Sequence, residues 1–179
     1  VTDLQFCPLI NSLMGTISQD GFAIIWELKL DETIASGSKL LFRETLRIRS
    51  NSEDSGSECF SRIKWHPKFE RLFALVHGDT VSFVELSSSL WNLQKRNGEA
   101  GTPISEARGG IAQSFGEAVT SIDFNDDGTK LVTGSGMKVK IWAVDIQKLN
   151  GDSRNDGITQ IYSFVAHSGG LVSHVFYVS

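Results

Sequence analysis

VTSIDFNDDGTKLVTGSGMKVKIWAV, residues 119–144, is the stretch whose reading decides the fold. Its first six residues alternate apolar with polar side chains and end on Phe124, the pattern of a half-buried strand. NDDG at 125–128 carries turn chemistry, and KLVT and KVKIWAV read as two further strands. GSGMK at 134–138 invites comparison with a phosphate cradle. A phosphate loop, however, needs G-x4-G-K-[ST] running from a strand into a helix. Here a single residue separates the glycines, and Lys138 leads into another strand. Gly134, Ser135 and Gly136 are therefore predicted to form the turn between the second and third strands, where glycine permits positive φ.

The same unit recurs along the chain. VTDLQF (1–6), FSRIKW (60–65), VTSIDF (119–124) and LVSHVF (171–176) each alternate and end on an aromatic residue. Phe6, Trp65 and Phe124 stand 59 residues apart, and Phe176 follows 52 residues later. Each of the first three copies leads through a turn, a strand, a tight turn and another strand, the last being FAIIWEL, DTVSFVEL or MKVKIWAV. Pro8, Pro67 and Asp127-Gly128 mark the first turns, and Asp20-Gly21 and Gly78-Asp79 the second. LLFRETLRI (40–48), GIAQSF (110–115) and ITQIYSFV (158–165) supply a fourth strand. Helical periodicity is confined to one turn within LWNLQKR (90–96).

Four antiparallel strands, repeated, describe the blades of a β-propeller. The residues resemble the WD40 family. Trp26-Glu27 and Trp142-Ala143 stand where that family often has Trp-Asp, and Ala166-His167 where it often has Gly-His. Val84 occupies the tryptophan position of the second unit. The resemblance implies an all-β chain that forms part of a roughly seven-bladed ring. Blade 1 is residues 1–49, blade 2 is 59–115, blade 3 is 118–166, and 167–179 begins a fourth. The 59-residue spacing exceeds the roughly 40–45 of a WD40 repeat. The excess lies in polar insertions at 29–39, 50–58, 87–109 and 145–157, with 51–58 expected to be mobile.

The resemblance also implies a buried hydrogen-bond chain of His, Ser/Thr, Asp and Trp in each blade. Ser18, Asp20 and Trp26 match it in blade 1, and His167 matches its first member in blade 4. In blade 3, Glu117 replaces the expected His and Ser135 stands where an Asp is usual. Trp142 is thus expected to stand alone, with blade 3 closed by packing. Three blades leave open apolar flanks, so the rest of the ring is expected from the same or another chain. Val1 begins directly in a strand pattern, and the chain is expected to be a piece of something longer.

Composition narrows the function. The 179 residues are 40% hydrophobic and 21% charged, ordinary for a globular domain with a core. A formal net charge of −4 provides no global basic field toward nucleic acid or an anionic membrane. No apolar run approaches the ~20 residues of a membrane span. Cys7 and Cys59 lie too far apart in sequence for a metal or redox motif and read as buried free thiols, pointing to a cytosolic or nuclear setting. The four histidines show no ligand spacing, so neither a metal nor a cofactor is expected. No G-x-S-x-G precedes a helix, and no catalytic residue is assigned. Arg43, Arg47 and Arg49, with Thr45, fall at period two in the outermost strand of blade 1. They read either as charge that guards an edge strand or as a stripe for an anionic partner. No aromatic residues interleave them, so direct nucleic-acid binding is not expected.

A closer resemblance is carried by three stretches. VTDLQFCPL with DGFAIIWEL leads to LLFRETLRIRS; CFSRIKWHP leads to LFALVHGDTVSFVEL; IAQSFGEAVTSIDFNDDGTKLVTGSGMKVKIWAV leads to YSFVAHSGGLVSHVFY. Their order is similar to the WD40 region of the enhancer-of-mRNA-decapping scaffolds of the Varicose and Hedls type. It implies a non-catalytic cytoplasmic scaffold of P-bodies that gathers decapping enzyme and activators. The alternative is a WD40 adaptor or substrate receptor of ubiquitin-ligase, chromatin or trafficking complexes.

Overall fold

The computed structural model of the chain describes residues 1–31, 39–49, 59–86, 107–108, 112–114, 116–149 and 157–178. The sequence-predicted helical turn at 90–96 and the insertion at 51–58 lie outside these residues. The described residues form three antiparallel sheets, the blades of a partial β-propeller. Blade 1 is β1 (Asp3–Phe6), β2 (Leu13–Ile17), β3 (Phe22–Asp31) and β4 (Lys39–Arg49). Blade 2 is β5 (Phe60–Trp65), β6 (Leu72–His77) and β7 (Thr80–Leu86). Its outermost position is shared by the short strands β8 (Ala107–Arg108) and β9 (Ala112–Ser114), which pair with opposite ends of β7. Blade 3 is β10 (Val119–Phe124), β11 (Lys130–Ser135), β12 (Lys138–Val144) and β13 (Ile158–Val165). The insertion after β12 opens with a single helical turn, α1 (Ile146–Leu149), which seats Leu149 in the core. Asp145 caps this turn by accepting the amides of Gln147 and Lys148.

The core lies between blades. Ile17, Ile25 and Leu46 of blade 1 pack with Ile63, Trp65, Phe73 and Leu75 of blade 2. Leu72, Ala74, Val76 and Phe83 of blade 2 pack with Ile122, Phe124, Leu131 and Trp142 of blade 3. Successive side chains of a strand point to opposite faces. β6 is covered on both faces, so LFALV is buried throughout without alternation. Where no blade covers a face, apolar side chains are exposed. Leu4 and Phe6 are 48% and 50% exposed, whereas Ile63 and Trp65 at the equivalent positions of blade 2 are 3% and 1% exposed. At the other end Tyr162 and Phe164 of β13 are 61% and 43% exposed.

The inner strands are joined by side chains that accept main-chain N–H groups. Asp3 Oδ2 accepts Ile63 N (3.0 Å) and Gln5 Oε1 accepts Trp65 N (2.8 Å). In the same way Ser121 Oγ accepts Val175 N (3.0 Å) and Asp123 Oδ2 accepts Tyr177 N (2.9 Å). This register corrects the fourth copy of the repeat. Val175 and Tyr177 correspond to Ile63 and Trp65, so the copy is residues 172–177 rather than 171–176. Burial agrees: Val172 is 3% exposed, like Val119 and Phe60 at the first position, whereas Leu171 and Phe176 are 74% and 72% exposed. Val172 N also donates to Gly136 O as Val119 N donates to Gly78 O. The seam between blades 2 and 3 is built differently. Arg62 and Lys64 only donate, and Lys64 Nζ lies 2.8 Å from Asp123 Oδ1.

The GSGMK turn is tighter than its sequence suggests. Gly134 and Ser135 belong to β11, and only Gly136 and Met137 separate Ser135 from its partner Lys138. Gly136 has φ +55, matching Gly78 in blade 2. Gly134 is glycine for a different reason: a Cβ there would stand 2.6 Å from Val172 Cγ1, against the incoming fourth blade.

Candidate interaction surface

The blade network differs from its sequence expectation in membership. The Trp26 indole N–H donates to Thr16 Oγ1 (2.8 Å), so the hydroxyl of the pair is Thr16 rather than Ser18. Asp20 Oδ1 accepts Phe22 N and caps the β2–β3 turn, where Gly21 has φ +82. Trp142 is not alone: its indole N–H donates to Thr133 Oγ1 (3.0 Å), and Thr133 is fully buried. Ladder pairing makes Thr16, Leu75 and Thr133 equivalent, and likewise Trp26, Val84 and Trp142. Blade 2 has thus replaced both members of the polar pair together. A donor without its acceptor in a core costs more than an apolar pair of similar shape, and Leu75 with Val84 avoids that cost.

The link between β13 and the 172–177 segment is tied to the blade 3 hairpin. Ala166 N and His167 N both point to Met137 O, at 2.9 and 3.4 Å, while the His167 side chain is exposed. Glu117, at the position expected for a histidine, meets Lys138 Nζ at 2.6 Å. That ammonium holds the Glu117 carboxyl below the usual carboxylate range.

The arginine stripe is not one stripe. β3 and β4 change register between Ile25 and Trp26, with Thr45 as the extra residue, donating its hydroxyl to Ile25 O. Arg43 opposite Glu27 therefore shares the face of the buried Leu46, while Arg47 and Arg49, opposite Ile24 and Phe22, lie on the face of Trp26. Arg47 is already engaged, fork-on, with Glu44 (2.8 and 2.6 Å) and over the Phe22 ring at 5.2 Å. The three cations are not brought together for an anionic partner. The same one-residue shift occurs at Ile141/Trp142 in blade 3 and between the Ser82 and Glu85 pairings in blade 2, so it is not tied to the tryptophan.

The two cysteines are free, Cys7 buried and Cys59 half-buried, the latter short of its sequence expectation. Among the described residues, no group of three or more His, Cys, Asp or Glu is placed to hold a metal ion, and no helix is long and apolar enough to cross a membrane.

Among the described residues, one groove lies on the rim formed by the first-to-second-strand turns. Its volume is about 300 Å³, and it is lined by Leu9 of blade 1, by Lys68, Phe69 and Arg71 of blade 2, by Glu85 at the end of β7 and by Ile146 of α1. Leu9 and Phe69 are 47% and 48% exposed. Arg71 and Glu85 form an ion pair at 3.7 Å within its lining. Exposed apolar side chains interleaved with charged ones are a composition that protein-contact sites share.

One residue that supports this groove has, in the sequence, only the look of turn chemistry. His66 is completely buried, with its ring 5.0 Å from both Phe69 and Phe124. Its Nδ1 accepts Lys68 N and Phe69 N (both 3.1 Å), so the ring proton sits on Nε2, 3.1 Å from Gly128 O of blade 3. Burial holds its pKa below the ordinary histidine value, the Gly128 carbonyl and Asp127 opposing in part. The detectable signal was the pairing of a histidine after one inner strand with a glycine in the next blade's turn. Gly128 has φ +75, and a Cβ on it would fall 2.0 Å from the His66 ring.

Side-by-side blades, joined at their inner strands and presenting two rims of loops, define an arc of a β-propeller. The comparisons agree. Residues 111–143 match the family model of the WD domain, G-beta repeat. The chain is similar to the WD40 domain of coronin from Toxoplasma gondii, with 17% identity and a TM-score of 0.59 over 96% of this chain and 35% of that chain. It is also similar to Sqt1 from Chaetomium thermophilum, solved bound to the N-terminus of the ribosomal protein L10, with 14% identity and a TM-score of 0.56 over 89% of this chain and 38% of that one. The chain spans little more than a third of the length of these structures, and likeness at such identity shows the fold alone. No curated protein matches the sequence.

Proposed function

We propose that this chain serves as a non-catalytic protein-interaction scaffold of the cytoplasmic mRNA decapping machinery, gathering decapping enzyme and activators in P-bodies. Fold alone does not give function. The platform reading is supported by the groove on the turn rim, where Leu9 and Phe69 expose apolar surface beside Lys68, Arg71 and Glu85. It is supported also by Sqt1, a protein of similar fold solved with a ribosomal-protein segment bound. The decapping assignment rests on the order of the stretches from VTDLQFCPL to YSFVAHSGGLVSHVFY.

Affinity purification of the full-length protein tests the assignment. Recovery of decapping subunits is expected. Their absence, in an experiment where a known decapping scaffold recovers them, would leave the second reading, an adaptor or substrate receptor of ubiquitin-ligase, chromatin or trafficking complexes.

A further inference from the structure

The rim turns of blades 2 and 3 are held to each other by one buried imidazole. Nδ1 of His66 is the acceptor for two main-chain N–H groups, and Nε2–H is the donor to the Gly128 carbonyl. Only the neutral ring with its proton on Nε2 can do all three at once. A second proton would have to sit on Nδ1, facing the N–H groups of Lys68 and Phe69 and displacing both bonds. Those two residues form the wall of the groove.

We infer that His66 is an acid-sensitive latch, which when neutral fixes the groove wall at Lys68 and Phe69 and when protonated releases it while keeping its donor bond to blade 3. The charged groups of the two turns do not compensate a second proton. On the His66 turn they are Lys68 and Glu70, and on the facing turn Asp126, Asp127 and Lys130. Asp127 is the anion whose field reaches the ring, and its Oδ1 already accepts Asn125 Nδ2 and the amide and hydroxyl of Thr129. Across the seam Asp123 is paired with Lys64. The direction of the His66 shift agrees with this geometry. With the folded pKa below the unfolded value of about 6.5, the latch is complete above that pH and is lost as pH falls below it.

The test is amide hydrogen exchange of the full-length protein between pH 7.5 and 5, normalised to the intrinsic rate at each pH. Protection of the Lys68 and Phe69 amides should fall by up to about tenfold per pH unit below about 6.5. His66→Asn keeps an acceptor oxygen near the Nδ1 position and cannot take up the proton, so its protection should stay level. Flat protection in the native protein would overturn the inference, as would an equal loss in His66→Asn. Should that variant not fold, NMR titration of the native His66 ring decides. A midpoint well below 6.5, accompanied by shifts of Lys68 and Phe69, supports the latch, and a midpoint at or above 6.5 refutes it.

Discussion

Gly128→Ala probes the contact on which the seam between blades 2 and 3 depends. Two penalties arise at once. The residue sits at φ +75, where a Cβ costs about 1–2 kcal/mol. The added carbon would also lie 2.0 Å from Cε1 and 2.1 Å from Nε2 of His66. That ring is gripped between Phe69 and Phe124 and bonded at both nitrogens, so it cannot swing aside cheaply. Overpacking of this kind costs about 1–3 kcal/mol, giving a total of roughly 2–5 kcal/mol. Urea unfolding of the full-length protein should show a lower midpoint with an unchanged slope. Combining Gly128→Ala with His66→Ala removes the clash and leaves the backbone strain, so the double-mutant cycle should give a coupling of about 1–3 kcal/mol. A loss in Gly128→Ala near 1 kcal/mol with no coupling would refute the reasoning, because it would mean that His66 does not occupy that space.

Further substitutions examine the other joints. Gly134→Ala sets a Cβ 2.6 Å from Val172 Cγ1 and should speed hydrogen exchange at Val175 and Tyr177, an effect that Val172→Ala should relieve. Trp142→Phe removes the donor to the buried Thr133 hydroxyl and should cost about 1–3 kcal/mol in thermal or urea unfolding. Replacing both as blade 2 does, with Thr133→Leu and Trp142→Val, should cost less than the sum of the single changes. Asp123→Ala deprives both Lys64 and the Tyr177 amide of their acceptor, and should destabilise by about 1–2 kcal/mol and expose the 172–177 segment to exchange.

The strand order of each blade was legible because alternation and turn residues are local signals. Val84 as the tryptophan counterpart was legible too, and its opposite number in the ladder, Phe73, matches Met14 and Leu131. The seams were not legible, since they depend on which main-chain amide a side chain meets in the next blade. Thus the aromatic ends suggested 171–176 for the fourth strand, whereas the Ser121 and Asp123 bonds fix it at 172–177. A period-two count placed Arg43, Arg47 and Arg49 together, but one extra residue at Thr45 reverses the faces beyond it. Ser18 and Thr16 both precede the Asp20 turn, and only the reach of the Trp26 indole separates them. His66-Pro67 looked like ordinary turn chemistry because the partner that gives His66 its role, Gly128, lies 62 residues away.

The structure of the full-length protein at side-chain resolution is the most direct test of the chain as an arc of an interaction propeller. The account predicts inner strands 3–6, 60–65, 119–124 and 172–177 side by side, with Asp123 bridging Lys64 and the Tyr177 amide. It further predicts that Leu4 and Phe6 at one end, and Tyr162 and Phe164 at the other, are buried against neighbouring blades of a closed ring. Those four side chains facing solvent, or a fourth strand seated in another register, would contradict it.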